Sequence, residues 1–246
     1  MELKHKTALV TGACGGIGRA VVAALVAQGA RVLAFDRDIE AVTALAEGFG
    51  GACDPIAVDL GDAAALQDVM KDVANRFEVI DILVNNAGIL SPHKLAATTL
   101  DEWHKLMAVN LDAALLLTQA VVPAMKENRW GRLINISSYA WKSGGLTAGT
   151  AYSVSKSALV GLTYSSAREL APFGVTANAV APAYVVSPMI MEQLSEEDRQ
   201  RQLAAIPVGR FCQPEEVAHT VRFLASPLSG FMTGTVVDMN GGLQFG

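Results

Sequence analysis

The 246-residue chain predicts an α/β protein: a single-domain, doubly wound (Rossmann-type) seven-stranded parallel sheet with helices on both faces. Three observations carry that expectation. Short aliphatic runs alternate with longer helical patterns, the runs are apolar almost throughout, and a glycine-rich turn joins the first run to the first helix. Strands buried on both sides need helices above and below them. Right-handed crossovers then place ligands beyond the carboxyl ends of the strands.

The strands are expected at 7–11 (TALVT), 31–35 (RVLAF), 55–59 (PIAVD), 81–85 (DILVN), 132–137 (RLINIS), 175–180 (VTANAV) and 235–239 (TVVDM). Helices are expected near 17–29, 38–47, 62–76, 101–127, 151–172 and 214–226. With no repeat, low-complexity tract or linker, residues 1–246 read as one dinucleotide-binding and catalytic domain. The long departure is 182–213, whose Met, Leu and Ile positions sit beside a charged SEEDRQRQ face. It reads either as a substrate flap around 183–213 or as a surface helix pair without a gating role.

Composition narrows the function. Hydrophobic residues make up 51% and charged residues 17%, enough apolar material for a large core. A formal charge of −5 with no Lys/Arg cluster argues against a nucleic-acid partner. Three cysteines, Cys14, Cys53 and Cys212, are widely spaced and form no C-x-x-C pair, as in a reduced, cytoplasmic protein. MELKHKTALVTG enters a strand at once, leaving no room for a signal peptide. No apolar run approaches the roughly 18 residues that a membrane span needs, so no membrane partner is expected. His5, His104 and His219 lack partners at ligand spacing, so no metal is expected.

Two motifs carry chemistry. In TGACGGIG, Gly12, Gly16 and Gly18 allow a tight turn and a close backbone approach, and the following helix offers free N–H groups to a pyrophosphate. Asp36 ends the second strand eighteen residues after Gly18, where a carboxylate binds adenosine ribose hydroxyls or else caps the next helix. In AYSVSKSALVGL, Tyr152 and Lys156 share a helix face at i and i+4. A fixed ammonium beside a phenol favours the phenolate and suits proton transfer; a buried aromatic beside a surface lysine is the plain alternative.

With Thr11-Gly12-x-x-x-Gly16-x-Gly18 and Tyr152-x-x-x-Lys156 both present, the chain resembles the short-chain dehydrogenase/reductase family. NNAG (85–88), Asn110 in MAVNLDA, INISS (134–138), NAVAPAYVVSPM (178–189) and DMNGG (238–242) agree with the family in order along essentially the whole chain. The resemblance implies that Tyr152 is the general acid/base and that Lys156 binds the nicotinamide ribose and lowers the tyrosine pKa. Ser138 would hydrogen-bond the reacting oxygen, and Asn110 would hold a water linking Lys156 to solvent. It implies cofactor contacts at Ile17, Asp59, Leu60, Asn86, Ala87, Gly88, Val109, Pro182, Val185 and Ser187, with Asp59 accepting from the adenine amine. The asparagines of NNAG are expected to tie neighbouring strands together.

The chain departs from the family at three places. Ser138 lies fourteen residues before Tyr152, where thirteen is usual, so the loop YAWKSGGLTAGTA carries an extra residue. Strand alternation lets only one of Ser137 and Ser138 face the site, and Ser138 holds the family's position. Ala183 and Ser187 stand where glycine and threonine are usual. Trp141 and Tyr184 are expected as apolar pocket walls, the small residues of 144–150 leave space near Tyr152, and His93 falls in a loop near the substrate entrance or in solvent. The expectation is an NAD(H)-dependent oxidoreductase, a homotetramer by family resemblance, interconverting a small-molecule secondary alcohol (sugar, polyol or cyclic alcohol) and a ketone. A 3-oxoacyl-thioester reductase is the alternative, and a non-catalytic NAD(H)-sensing module is the alternative from another class.

Overall fold

The computed structural model describes residues 1–186 and 195–245. Its strands are β1 (Thr7–Thr11), β2 (Arg31–Asp36), β3 (Cys53–Ala57), β4 (Ile82–Asn85), β5 (Gly131–Ile136), β6 (Val175–Pro182) and β7 (Val236–Met239). They form one parallel sheet in the order β3-β2-β1-β4-β5-β6-β7. The order reverses between β1 and β4, which opens a crevice above their carboxyl ends.

The strands are apolar on both faces because both are covered. Val10, Val32, Val84 and Ile134 pack with α1 (Gly16–Ala27), α2 (Ile39–Glu47) and the helix Pro214–Ala225. Their neighbours Leu9, Leu33, Leu83 and Leu133 pack on the other side with α3 (Ala63–Arg76) and α5 (Ala113–Glu127). Successive side chains point to opposite faces, so a continuous aliphatic run feeds two cores.

Side chains set where several helices start. Asp38 accepts from the Ala41 N–H at 3.0 Å to begin α2, and Asp62 accepts from Ala64 and Ala65, both at 3.0 Å, to begin α3. Thr99 accepts from Glu102 at 3.2 Å to begin α4 (Leu100–Met107). Each satisfies N–H groups that have no partner inside the helix.

Three features differ from the sequence expectation. β3 runs from Cys53 to Ala57, two residues earlier than 55–59, so Asp59 lies beyond the strand. Pro55 is tolerated there because β3 is an edge strand, paired with β2 alone. The expected helix 101–127 is α4 and α5 joined by a π-helical turn at Ala108–Asp112. This unbroken run, Leu100–Glu127, is by length and composition apolar enough to cross a membrane, contrary to the sequence reading. In the fold its Leu117, Val121 and Met125 pack in the core under the sheet.

A short α6 (Ala140–Ser143) precedes α7 (Thr150–Leu170). Within the expected flap, α8 (Glu196–Ala205) is a polar helix capped by Ser195, with no buried residue. The helix Pro214–Ala225, α9, follows. Tyr184, Ile206 and Phe211, all within 183–213, form a small satellite core.

Candidate active site

The turn after β1 is shaped by the side chains it excludes. Gly12 has a φ of 62°, and a Cβ there would sit 2.9 Å from the Ala87 Cα. A Cβ on Gly18 would collide with the Gly12 carbonyl, so α1 crosses the turn at a distance only glycine permits. α1 begins at Gly16 from Gly15, which offers no side-chain cap, leaving the first N–H groups directed at the crevice end.

Asp36 stands beside this turn. Its carboxylate accepts from the Cys14 N–H at 2.9 Å and from the Arg37 N–H at 2.8 Å. Two backbone donors fix its orientation, and each oxygen keeps acceptor capacity for a ribose hydroxyl. Asp59 caps the next turn by accepting from the Gly61 N–H at 2.8 Å. Val109 reaches the same turn, where a Cβ on Gly61 would sit 3.5 Å from its Cγ2. The Leu60 side chain belongs to the core, so only its backbone is free to meet a ligand.

The 85–88 segment is held as the sequence suggests. Asn85 donates to Asn135 at 2.8 Å, and Asn135 donates to Thr163 at 2.8 Å, tying β4 to β5 and α7. Asn86 Nδ2 donates to the carbonyls of Thr11 and Gly12 at 2.9 and 3.1 Å, and the Thr11 hydroxyl accepts from the N–H groups of Asn86 and Ala87. Gly88 is packed tightly: a Cβ there would sit 3.1 Å from Lys156 Nζ and 3.4 Å from Asn110 Oδ1.

Asn110, in the π turn, is buried and bonded through both its nitrogen and its oxygen. Its amide donates to the Ile89 carbonyl and the Ser155 hydroxyl, both at 3.0 Å, while its Oδ1 accepts from the Ile89 N–H at 2.8 Å. Ser155 in turn donates to the Tyr152 carbonyl at 2.8 Å. Of the two serines between Tyr152 and Lys156, Ser155 thus ties α7 through Asn110 to the segment after β4, while Ser153 donates to the Gly149 carbonyl at 2.9 Å at the start of its own helix. Asn110 acts first as that tie; the water it is expected to hold is left to the remaining capacity of Oδ1.

Lys156 is 3% exposed, and its Nζ donates to the Ile136 carbonyl at 2.8 Å. It lies 5.8 Å from the centre of the Tyr152 ring. Ser138 sits beside the Tyr152 phenol and faces the same cavity, and its hydroxyl accepts from the Ala140 N–H at 3.2 Å. Ser137 is buried, with its hydroxyl donated to the Lys156 carbonyl at 2.8 Å, so the two serines divide their work as strand alternation requires.

Electrostatics here correct one expectation. The sequence reading has Lys156 lowering the tyrosine pKa. Instead burial pushes the Tyr152 phenol up, and the neighbouring Ser138 hydroxyl offsets part of that rise. Burial also brings Lys156 down to about 8. Desolvation disfavours both charged forms, and the ammonium is bonded to a carbonyl rather than to the phenol.

These groups open onto a cavity of about 220 Å³. Among the expected residues, Ile17, Asn86, Gly88 and Pro182 line it, as do Ser138, Tyr152, Lys156, Tyr184 and Val185. Tyr184 hydrogen-bonds weakly with Thr147 at 3.5 Å and packs on Phe211. Trp141 does not line the cavity: it lies on the short α6, and its buried indole N–H has no partner among the described residues. His93 is turned from the cavity too, its Nδ1 2.7 Å from Glu102 on α4. Ser187 lies outside the described residues. Sequence reading missed Tyr139, Leu146 and Thr147 in the wall, whose signal was only the small-residue loop 144–150.

The residues present fit a nicotinamide dinucleotide: a cradle that Cβ atoms would fill, an uncapped helix N-terminus and an oriented carboxylate for the ribose. Fold and site together define a dinucleotide-dependent oxidoreductase class. Comparison with known proteins agrees. Residues 12–244 match a family model described as Enoyl-(Acyl carrier protein) reductase. The chain is 38% identical over 99% of both chains to a 3-oxoacyl-(acyl-carrier-protein) reductase FabG of Thermotoga maritima. It is 38% identical, over 98% of both, to a hydroxy(phenyl)methylsuccinyl-CoA dehydrogenase subunit, BbsD, of Thauera aromatica. Among solved structures, a putative NAD(P)-dependent gluconate 5-dehydrogenase from Beutenbergia cavernae superposes with a TM-score of 0.91 at 36% identity, covering 98% of both chains. A 3-oxoacyl reductase from Brucella melitensis with bound NAD gives 0.91 at 33% identity, covering 100% of this chain and 93% of that one. The chain belongs to the short-chain dehydrogenase/reductase family.

Proposed function

We propose that this protein is an NAD(H)-dependent oxidoreductase that interconverts a 3-oxoacyl and a 3-hydroxyacyl thioester. The observation that carries the chemistry is that Ser138, Tyr152 and buried Lys156 all line one cavity. A nicotinamide bound there supplies or accepts the hydride. Ser138 donates to the reacting oxygen and stabilises developing alkoxide charge. Tyr152, kept neutral by burial, gives that oxygen its proton in the reducing direction and recovers it in the other. Lys156 would hold the nicotinamide ribose when the cofactor binds, and Asn110 holds α7 in place through Ser155.

Two of the relatives named above act on acyl thioesters by their names, which favours the thioester over the sugar, polyol or cyclic alcohol suggested by the sequence. The flap arginines are spent on carboxylates: Arg199 on Glu196, Arg201 on Glu197, Arg210 on Glu216. That counts against docking of an acidic carrier protein at the flap, and it leaves the same arginines unavailable to the phosphates of coenzyme A. Asp36 supports NAD, since its carboxylate would repel a 2′-phosphate. A sugar-acid or polyol substrate is the second reading, supported by the hydroxyls of Tyr139, Ser143, Thr147 and Tyr184 in the wall and by the likeness to the gluconate dehydrogenase.

The deciding experiment follows NADH oxidation with 3-oxoacyl thioesters of coenzyme A and of a carrier protein, and NAD⁺ reduction with polyols and sugar acids. Turnover confined to the polyols would favour the second reading. Cofactor binding without turnover on any substrate would favour a sensing module. The same reading takes the protein as a cytoplasmic homotetramer, supported by exposed Phe223, Leu228 and Phe231 together on one surface stretch; a fully active monomer in sedimentation would count against it.

A further inference from the structure

We infer that Lys94 is the positioning residue that holds the substrate-side wall of the cavity in place. This rests on reading the cavity as the carbonyl-substrate site. Lys94 Nζ donates to three backbone carbonyls of one loop: Gly145, Leu146 at 3.3 Å and Ala148 at 2.6 Å. Residues 145–148 all line the cavity. No carboxylate is needed, because converging carbonyl dipoles satisfy the ammonium.

The surrounding geometry is built around that clamp. Gly144 and Gly145 have φ of 70° and 78°, the left-handed backbone that curls the loop, and a Cβ on Gly145 would strike the Ser153 hydroxyl. The loop's end is stitched to the segment carrying Lys94: Gly149 N–H donates to the Ser91 carbonyl at 2.7 Å and Thr150 N–H to the His93 carbonyl at 2.9 Å. A Cβ on Gly149 would overlap that segment's backbone, so the two strands of chain touch directly. The segment itself is anchored to α4, with Ser91 and His93 both bonded to Glu102. Lys94 therefore passes the rigidity of α4 to a loop that ends four residues before Tyr152, and it fixes the space into which the substrate's chain extends.

Wild type, Lys94→Met and Lys94→Arg would be compared by hydrogen exchange over residues 144–150, NADH affinity by fluorescence, and steady-state kinetics. Loss of the ammonium should speed exchange at Gly149 and Thr150 by at least about tenfold, the effect of one lost charge-assisted hydrogen bond. KM for the carbonyl substrate should rise about tenfold while kcat falls less, and NADH affinity should stay within about twofold. Lys94→Arg should restore most of the exchange protection and of KM. Unchanged exchange in Lys94→Met would overturn the inference, as would a loss of NADH affinity matching the rise in KM. If wild type reduces no thioester or ketone, the proposed function fails, and the exchange data still decide whether Lys94 clamps the loop.

Discussion

The Ser137 hydroxyl donates to the Lys156 carbonyl at 2.8 Å, so the serine next to the catalytic candidate is a fastener for the helix that carries the lysine. Its neighbour Ser138 is left to face Tyr152. Ser138→Ala should lower kcat by roughly two to three powers of ten, as the loss of an oxyanion donor does. Ser137→Ala should leave turnover within a few-fold and cost about 1 kcal/mol of stability in urea unfolding. The reverse pattern would show that the longer loop has shifted the serine register.

The direction of the Tyr152 shift sets the pH dependence. Burial raises the phenol above its ordinary value, so it is protonated throughout the neutral range. Carbonyl reduction, which needs the proton, should be flat between about pH 6 and 8. Alcohol oxidation, which needs the phenolate, should rise nearly tenfold per unit across the same range. Tyr152→Phe should cost at least about a hundredfold in both directions with NADH binding nearly intact. Oxidation that declines with rising pH over that range would rule out this assignment.

Lys156 makes a separate prediction about stability. Its folded pKa, about 8, lies below the ordinary 10.5. Between those values the unfolded chain holds the proton and the native protein does not, so this group's contribution to stability increases as pH rises from about 8 to about 10.5. Urea midpoints of wild type minus those of Lys156→Met should therefore climb through that window, the subtraction removing the other groups that titrate there. A difference that stays level would mean that the lysine is charged in the fold.

Asp36 carries the cofactor prediction. Two charges about 4 Å apart at surface-like dielectric repel by roughly 4 kcal/mol before screening, and even a fraction of that gives a tenfold preference for NAD. Asp36→Ala should narrow the gap between the cofactors. It should also loosen the glycine turn, because Cys14 loses its 2.9 Å acceptor. Arg37→Ala should remove whatever NADP⁺ activity wild type has. A higher kcat/KM with NADP⁺ than with NAD⁺ in wild type would refute the NAD reading.

The sequence by itself determined the seven strands, the two-sided burial of the sheet and the glycine turn, because periodicity and glycine placement are local properties that the fold cannot overrule cheaply. Tyr152 and Lys156 were legible for the same reason, four residues apart on one helix. Only the tertiary structure decided how charge behaves there: desolvation by the surrounding fold, which no spacing records, raises the phenol and lowers the lysine. Trp141 was misplaced because it lies on a four-residue helix, and such a turn leaves no periodic signal. Lys94 was invisible for a different reason. Its three acceptors are backbone carbonyls some fifty residues along the chain, and a carbonyl carries no mark of its partner in the sequence.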